Sequence, residues 1–133
     1  MDAKAIRELQ EQVKSERQKA AQDLEKRLEK EKAEAIERGK RDGKAEVYQK
    51  ILAEVKKKVR ETYDTSLEYD FSEHNRNYLE SLLKSLIAKL IKEGFKVPRM
   101  PNIEHHYSEG GYEMDYGHVD PHWWYTAKLE VSW

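Results

Sequence analysis

No proline occurs before Pro98, and a single aromatic residue, Tyr48, occurs before Tyr63. A segment without proline holds nothing that forbids a continuous helix. A segment almost without aromatics has little with which to build a core. Residues 1–61 consist mainly of Ala, Glu, Lys, Gln, Arg and Leu, strong helix formers all. The expected element over residues 1–62 is therefore a long, charged, coiled-coil-like helix. Its apolar seam is uneven: Ile6, Leu9 and Val13 start it, and Leu24, Leu28 and Ile36 continue it thinly. From Tyr48 it is firm, with Leu52, Val55 and Val59 in line and Val47 and Ile51 widening it. Such a stripe needs a partner helix. "RGKRDGK" (Arg38–Lys44) interrupts the pattern, because each glycine costs roughly 1 kcal/mol relative to alanine inside a helix and "DG" is a turn signal. Two readings follow: a hinge at 39–43, or the bend of a helical hairpin laying 3–37 against 45–62. The thin seam between Arg17 and Lys32 favours the extended helix, with Tyr48, Leu52, Val55 and Val59 serving oligomerisation in a homodimer or higher oligomer.

The other twelve aromatics lie in residues 63–133, so the packed core is expected there. Ser72 is a good helix N-cap and Glu73 suits the positive end of a helix dipole. Leu79, Leu82, Leu83, Leu86, Ile87, Leu90 and Ile91 then recur at helical spacing, and Gly94 supplies a left-handed stop with Phe95 beyond it. This predicts an amphipathic core helix over 72–94. "HWWYTAKLEVSW" alternates, with Trp123, Tyr125, Ala127, Leu129, Val131 and Trp133 on one face, the pattern of a half-buried strand. Phe95–Val97 reads as a short strand, and "IEHHY" and "YEMDY" flank "SEGG", a hairpin signal. The fold class is α+β: a long N-terminal helix, an amphipathic second helix and a small C-terminal antiparallel sheet.

Charge decides which partners are excluded. Residues 1–61 carry 18 Lys/Arg against 14 Asp/Glu, and residues 62–133 carry 7 against 12, so the halves are +4 and −5 within a net charge of −1. The cations of the helical half (Arg38, Lys40, Arg41, Lys44, Lys56, Lys57, Lys58, Arg60) are interleaved with Glu37, Asp42, Glu46, Glu54 and Glu61. Counterion release rewards cations that lie together, so no direct, specific nucleic-acid binding is expected; a binder using the basic helix is the alternative. No apolar run approaches the ~18 residues of a membrane span, and the absence of cysteine fits a reducing interior. A cytoplasmic protein without a membrane partner is expected.

Four of five histidines fall in "IEHHYSEGGYEMDYGHVDPHWW" (Ile103–Trp124). His105 and His106 are adjacent on a strand, so they face opposite ways and cannot share an ion. His105 then reads as a core-face histidine hydrogen-bonded near Tyr107 or Tyr116. A metal site must combine His106 with His118, Asp120 or His122, chemically suited to zinc or iron, yet Pro121 forbids a helix through "HVDPH". That leaves a metal-dependent enzyme on the 105–122 loop as an alternative, while the main expectation is no metal and no cofactor. There is no glycine-rich phosphate loop, no G-x-S-x-G elbow and no cysteine nucleophile, so the chain reads as a non-enzyme. Binding is better supported. Trp124 shares the polar face with His122 and Thr126, an exposed aromatic of the sort that anchors interfaces. His106, Glu113 and Asp115 fall on the polar face as well. The acidic run Asp64, Glu68, Asp70 and Glu73, with Glu104, Glu109, Glu113, Asp115 and Asp120 of the sheet, suits a basic partner, a nucleic-acid-binding protein included, although a solvated surface is the commoner role of such residues.

In general cast the chain is similar to small accessory proteins of tailed bacteriophages of Gram-positive hosts. The likeness rests on the missing cysteine, the Lys/Glu-rich helix, "GKAEVYQKIL", "KEGFKV" and a last strand ending "VSW". It implies a protein-interaction role in the host cytoplasm: binding and inhibition of host machinery, CRISPR effectors included and with them nucleic-acid-binding complexes, or a part in assembly. It carries no functional residue across.

Overall fold

The computed structural model describes residues 2–113 and 117–133. The elements run α1 (Ala3–Lys44), α2 (Glu46–Thr62), β1 (Ser66–Glu73), α3 (Arg76–Lys92), β2 (Glu104–Ser108), β3 (Gly111–Glu113), β4 (Gly117–Val119) and β5 (His122–Ser132). The fold is α+β, and no helix among the described residues is long and apolar enough to cross a membrane. The chain divides into two compact units, Met1–Glu34 and Ala35–Trp133. From Ala3 onward the first is helix alone. Asp2 caps it, its carboxylate accepting from the Ala5 N–H at 2.9 Å, and Ile6, Leu9, Leu24 and Leu28 of the seam are exposed.

In the second unit the glycines of "RGKRDGK" do something other than bend the chain. The hinge expected at 39–43 is absent: α1 runs through both glycines, and the break falls at Ala45, with φ −115° and ψ −87°. Even there the Ala45 N–H donates to the Arg41 carbonyl and the Gln49 N–H to that of Ala45, so the chain bends rather than reversing as a hairpin. Ala35, Gly39 and Gly43 are buried, at a spacing of four that puts them on one helical face. A Cβ on Gly39 would lie 2.6 Å from the Tyr78 carbonyl oxygen, and one on Gly43 would lie 2.5 Å from that of Leu82. The backbones of α1 and α3 thus approach too closely at these two positions to admit a Cβ, and polar side chains of α3 complete the contact. The Ser81 hydroxyl donates to the Ile36 carbonyl and the Ser85 hydroxyl to that of Lys40, each at 2.6 Å.

Tyr78 closes the same seam. Its hydroxyl donates to Asp42 Oδ2 at 2.6 Å, and the Arg38 guanidinium lies 4.8 Å from its ring centre. Burial first, then the hydrogen bond and negative charge of Asp42, with Glu73 adding to them, hold the phenol far above the tyrosine range despite the pull of Arg38. The consequence has a definite sign. The unfolded chain loses this proton near pH ~10, whereas the folded chain keeps it, so stability is intact below that pH and falls as the pH rises further. Unfolding by urea between about pH 9 and 11 should show this decline, and Tyr78→Phe should flatten it.

The stripe expected to join subunits is used inside the chain. Tyr48, Ile51 and Val55 are buried in the core with Leu79, Leu82, Leu83, Leu86 and Leu90 of α3, Leu52 packs partly buried against them, and only Val59 is exposed. The cause is local: α3 and the sheet offer an apolar surface within the same unit. One strand of that sheet was not anticipated. Ser72 and Glu73, which resemble a helix start, end β1 instead, and α3 begins at Arg76 with Asn75 as its cap, accepting from the Tyr78 N–H at 3.1 Å. Its other end matches expectation. Gly94 (φ +93°) donates to the Ile91 carbonyl and Phe95 to that of Leu90, the paired bonds of a left-handed helix stop.

The main sheet is antiparallel in the order β1-β5-β2. "EHHYS" (Glu104–Ser108) therefore pairs with β5, not with the segment following "SEGG"; Gly111–Glu113 pairs with Gly117–Val119 as a separate two-stranded ribbon. The expected strand at Phe95–Val97 reduces to one bridge, Lys96 with Ser132.

Candidate functional site

Lengths explain where the surface of interest arises. At ~3.4 Å per residue the 11 residues of β5 extend about 37 Å, while the 17 residues of α3 cover about 25 Å at ~1.5 Å each. The sheet outruns its helical cover. Ala127, Leu129 and Val131 are buried beneath the helices, but towards His122 the same face emerges, and Trp123 is 55% exposed. Across the ladder Trp123 faces Tyr107, itself 58% exposed. The next pair, His105 and Tyr125, stacks at 4.9 Å with the rings 15° apart. His105 is therefore not a core residue, as its parity suggested, but an exposed member of an aromatic patch. His74 reaches the patch edge, its Nδ1 3.4 Å from the Trp123 carbonyl oxygen.

The opposite face carries the residues anticipated as binding. Trp124 is half-buried rather than fully exposed, because His106 stacks on it at 5.3 Å and His122 at 5.2 Å. Sequence spacing alone places His122 beside Trp124; the cross-strand register adds His106. Glu113 supplies backbone to β3, and Asp115 lies outside the described residues.

Sequence reasoning missed one pairing. His106 Nε2 lies 2.7 Å from Thr126 Oγ1, with Glu104 Oε2 3.8 Å from the same nitrogen. Hydroxyl, imidazole and carboxylate are the components of a nucleophile relay, but in a relay the acid must hold the far ring nitrogen. Here Glu104 approaches the nitrogen already occupied by threonine, and the imidazole face is covered by Trp124. The arrangement orients His106 for stacking. The histidine rings of this face are each held at one nitrogen, His106 Nε2 by Thr126 and His122 Nδ1 by the Asp120 carbonyl at 3.1 Å. Among the described residues no three His, Asp or Glu side chains are grouped to hold an ion.

Beyond this ladder the polar face continues as a groove of about 570 Å³, floored by Asp70, Ser72, Thr126 and Lys128 and overhung by Arg99–Asn102. Lys128 Nζ is 3.6 Å from Glu68 Oε2. The groove is open, polar and edged by carboxylates. Compared with protein-family models, curated proteins and solved structures, the chain matches none of them.

Proposed function

We propose that this chain is a non-enzymatic protein-interaction module, and that its likeness to phage accessory proteins points to host machinery as the target, an inhibitor of defence complexes being the foremost case. One observation carries the reading: the exposed cross-strand pair Tyr107–Trp123, set on a rigid three-stranded sheet beyond its helical cover. Large aromatics held on a strand lose little entropy on binding and are the residues that most often dominate interface energetics. The anchor thus moves one residue from Trp124, which its neighbouring histidines occupy, to Trp123.

A photo-crosslinking residue at Tyr107 should capture a protein in bacterial lysate, while the same residue at Lys84, on the exposed side of α3, should not. Trp123→Ala should weaken that capture by about 30-fold, the value of a ~2 kcal/mol hot spot, and leave the melting temperature nearly unchanged because the side chain packs little. Capture equally efficient from both positions would remove the basis for the proposal.

A further inference from the structure

From the open edge of β1 we infer a second recognition surface: it takes up an extended basic segment of another protein as a fourth strand. The inference deepens the interaction reading and rests on it for the nature of the partner, but uses different residues.

The backbone supplies the first argument. Ser132 exchanges both its backbone hydrogen bonds with Lys96, on the side of β5 away from β1, while the Trp133 N–H donates to the Thr65 carbonyl at 3.1 Å. Bonding in an antiparallel ladder alternates along each strand. Leu67, Tyr69, Phe71 and Glu73 therefore bond to β5, in register with Val131, Leu129, Ala127 and Tyr125. The N–H and C=O groups of Glu68, Asp70 and Ser72 then point outward along an edge where these residues are exposed. β1 is eight residues long and, among the described residues, pairs with β5 alone; an edge of that length is a template for strand addition.

The side chains choose the occupant. Glu68 and Asp70 stand on the polar face of that edge, and Lys128 on the neighbouring strand leans to Glu68, although Asp70 is its register partner. A second copy adding through its own β1 would set Asp70 opposite Asp70, or Glu68 opposite Asp70, in the two central registers that keep the faces aligned. Like charges directly opposed on a ladder are unfavourable. A strand with Lys or Arg at alternate positions places cations against the same carboxylates and turns its intervening residues towards the side of Leu67, Tyr69 and Phe71.

The probe is a fluorescent, capped eight-residue peptide alternating Lys and Val, titrated with the full chain at low ionic strength. Binding should appear with new hydrogen-exchange protection at the amides of Glu68, Asp70 and Ser72. Asp70→Pro should weaken it at least tenfold; proline is tolerated on a strand edge where the N–H faces solvent, yet removes a donor the peptide needs. Should that variant lose its fold, Glu68→Lys with Asp70→Lys decides: it should reject this peptide and accept one alternating Glu and Val. Trp123→Ala should bind the peptide normally, so the aromatic patch can fail its own test without touching this result. The inference is overturned by no binding at millimolar peptide, by protection at His105 and Tyr107 on the β2 edge instead, by protection of the β1 amides that rises with protein concentration alone, or by binding that depends on Trp123.

Discussion

Gly43→Ala should destabilise the protein by about 3 kcal/mol, the upper range for overpacking a tight interior. The direction is what makes the experiment informative. In an exposed helix the same change is stabilising by roughly 1 kcal/mol, since glycine has more backbone freedom to lose. Here the new methyl would meet the Leu82 carbonyl oxygen at 2.5 Å and the Leu86 nitrogen at 3.1 Å. Both are backbone atoms of a helix and cannot swing aside as a side-chain end can. Relief requires α1 and α3 to separate, which lengthens the 2.6 Å bond from Ser85 to the Lys40 carbonyl. Gly39→Ala should follow at a similar cost, its methyl meeting the Tyr78 carbonyl oxygen at 2.6 Å. Chemical denaturation of both variants measures this directly. A neutral or stabilising result would mean that the two helices are not in backbone contact.

Val55→Asp should cost still more, about 4–5 kcal/mol, in the exceptional range for a single substitution. Val55 is only 7% exposed, within the cluster that holds Ile51 and Leu83 at 0%. The loss of an apolar side chain from that site accounts for roughly 1.5–3 kcal/mol, and taking a carboxylate out of water, or neutralising it there, supplies the rest. Against a usual total stability of ~5–15 kcal/mol, the variant should be largely or partly unfolded, with circular dichroism showing the loss at every protein concentration. If instead Val55 met a second subunit, the variant would remain folded and merely dissociate. Sedimentation with parallel spectroscopy separates the two outcomes.

Patterns that live within one element were legible in the chain: the leucine repeat of α3, the alternation of β5 and the Gly94 stop. Facts that need two elements were not. The local cost of Gly39 and Gly43 argued for a break, whereas their value lies in α3, whose Ser81 and Ser85 show the matching four-residue spacing. β1 was hidden because Ser72 and Glu73 imitate a helix start, although Leu67, Tyr69 and Phe71 already alternate. For the candidate site, parity placed His106 and Trp124 on one face correctly. It could not show that β2 pairs with β5, which brings His106 onto the indole and sets Tyr107 beside Trp123. Nor does parity reveal exposure: Tyr107 and Trp123 lie on the core face by alternation and in solvent by the reach of the sheet.

The central position of β5 dictates when this protein can exist. β1 and β2 touch nothing of each other; both are held by β5, and the register joins Ser66 to Ser132. While the chain leaves the ribosome, the helical segments can form within nanoseconds to microseconds. No part of the three-stranded sheet can follow, because its middle strand is still inside the tunnel. Until β5 emerges, the apolar side of α3 and the inner flank of β1 lack their cover, and a nascent chain stalled at that point offers chaperones and neighbouring polypeptides surfaces that the finished protein keeps to itself.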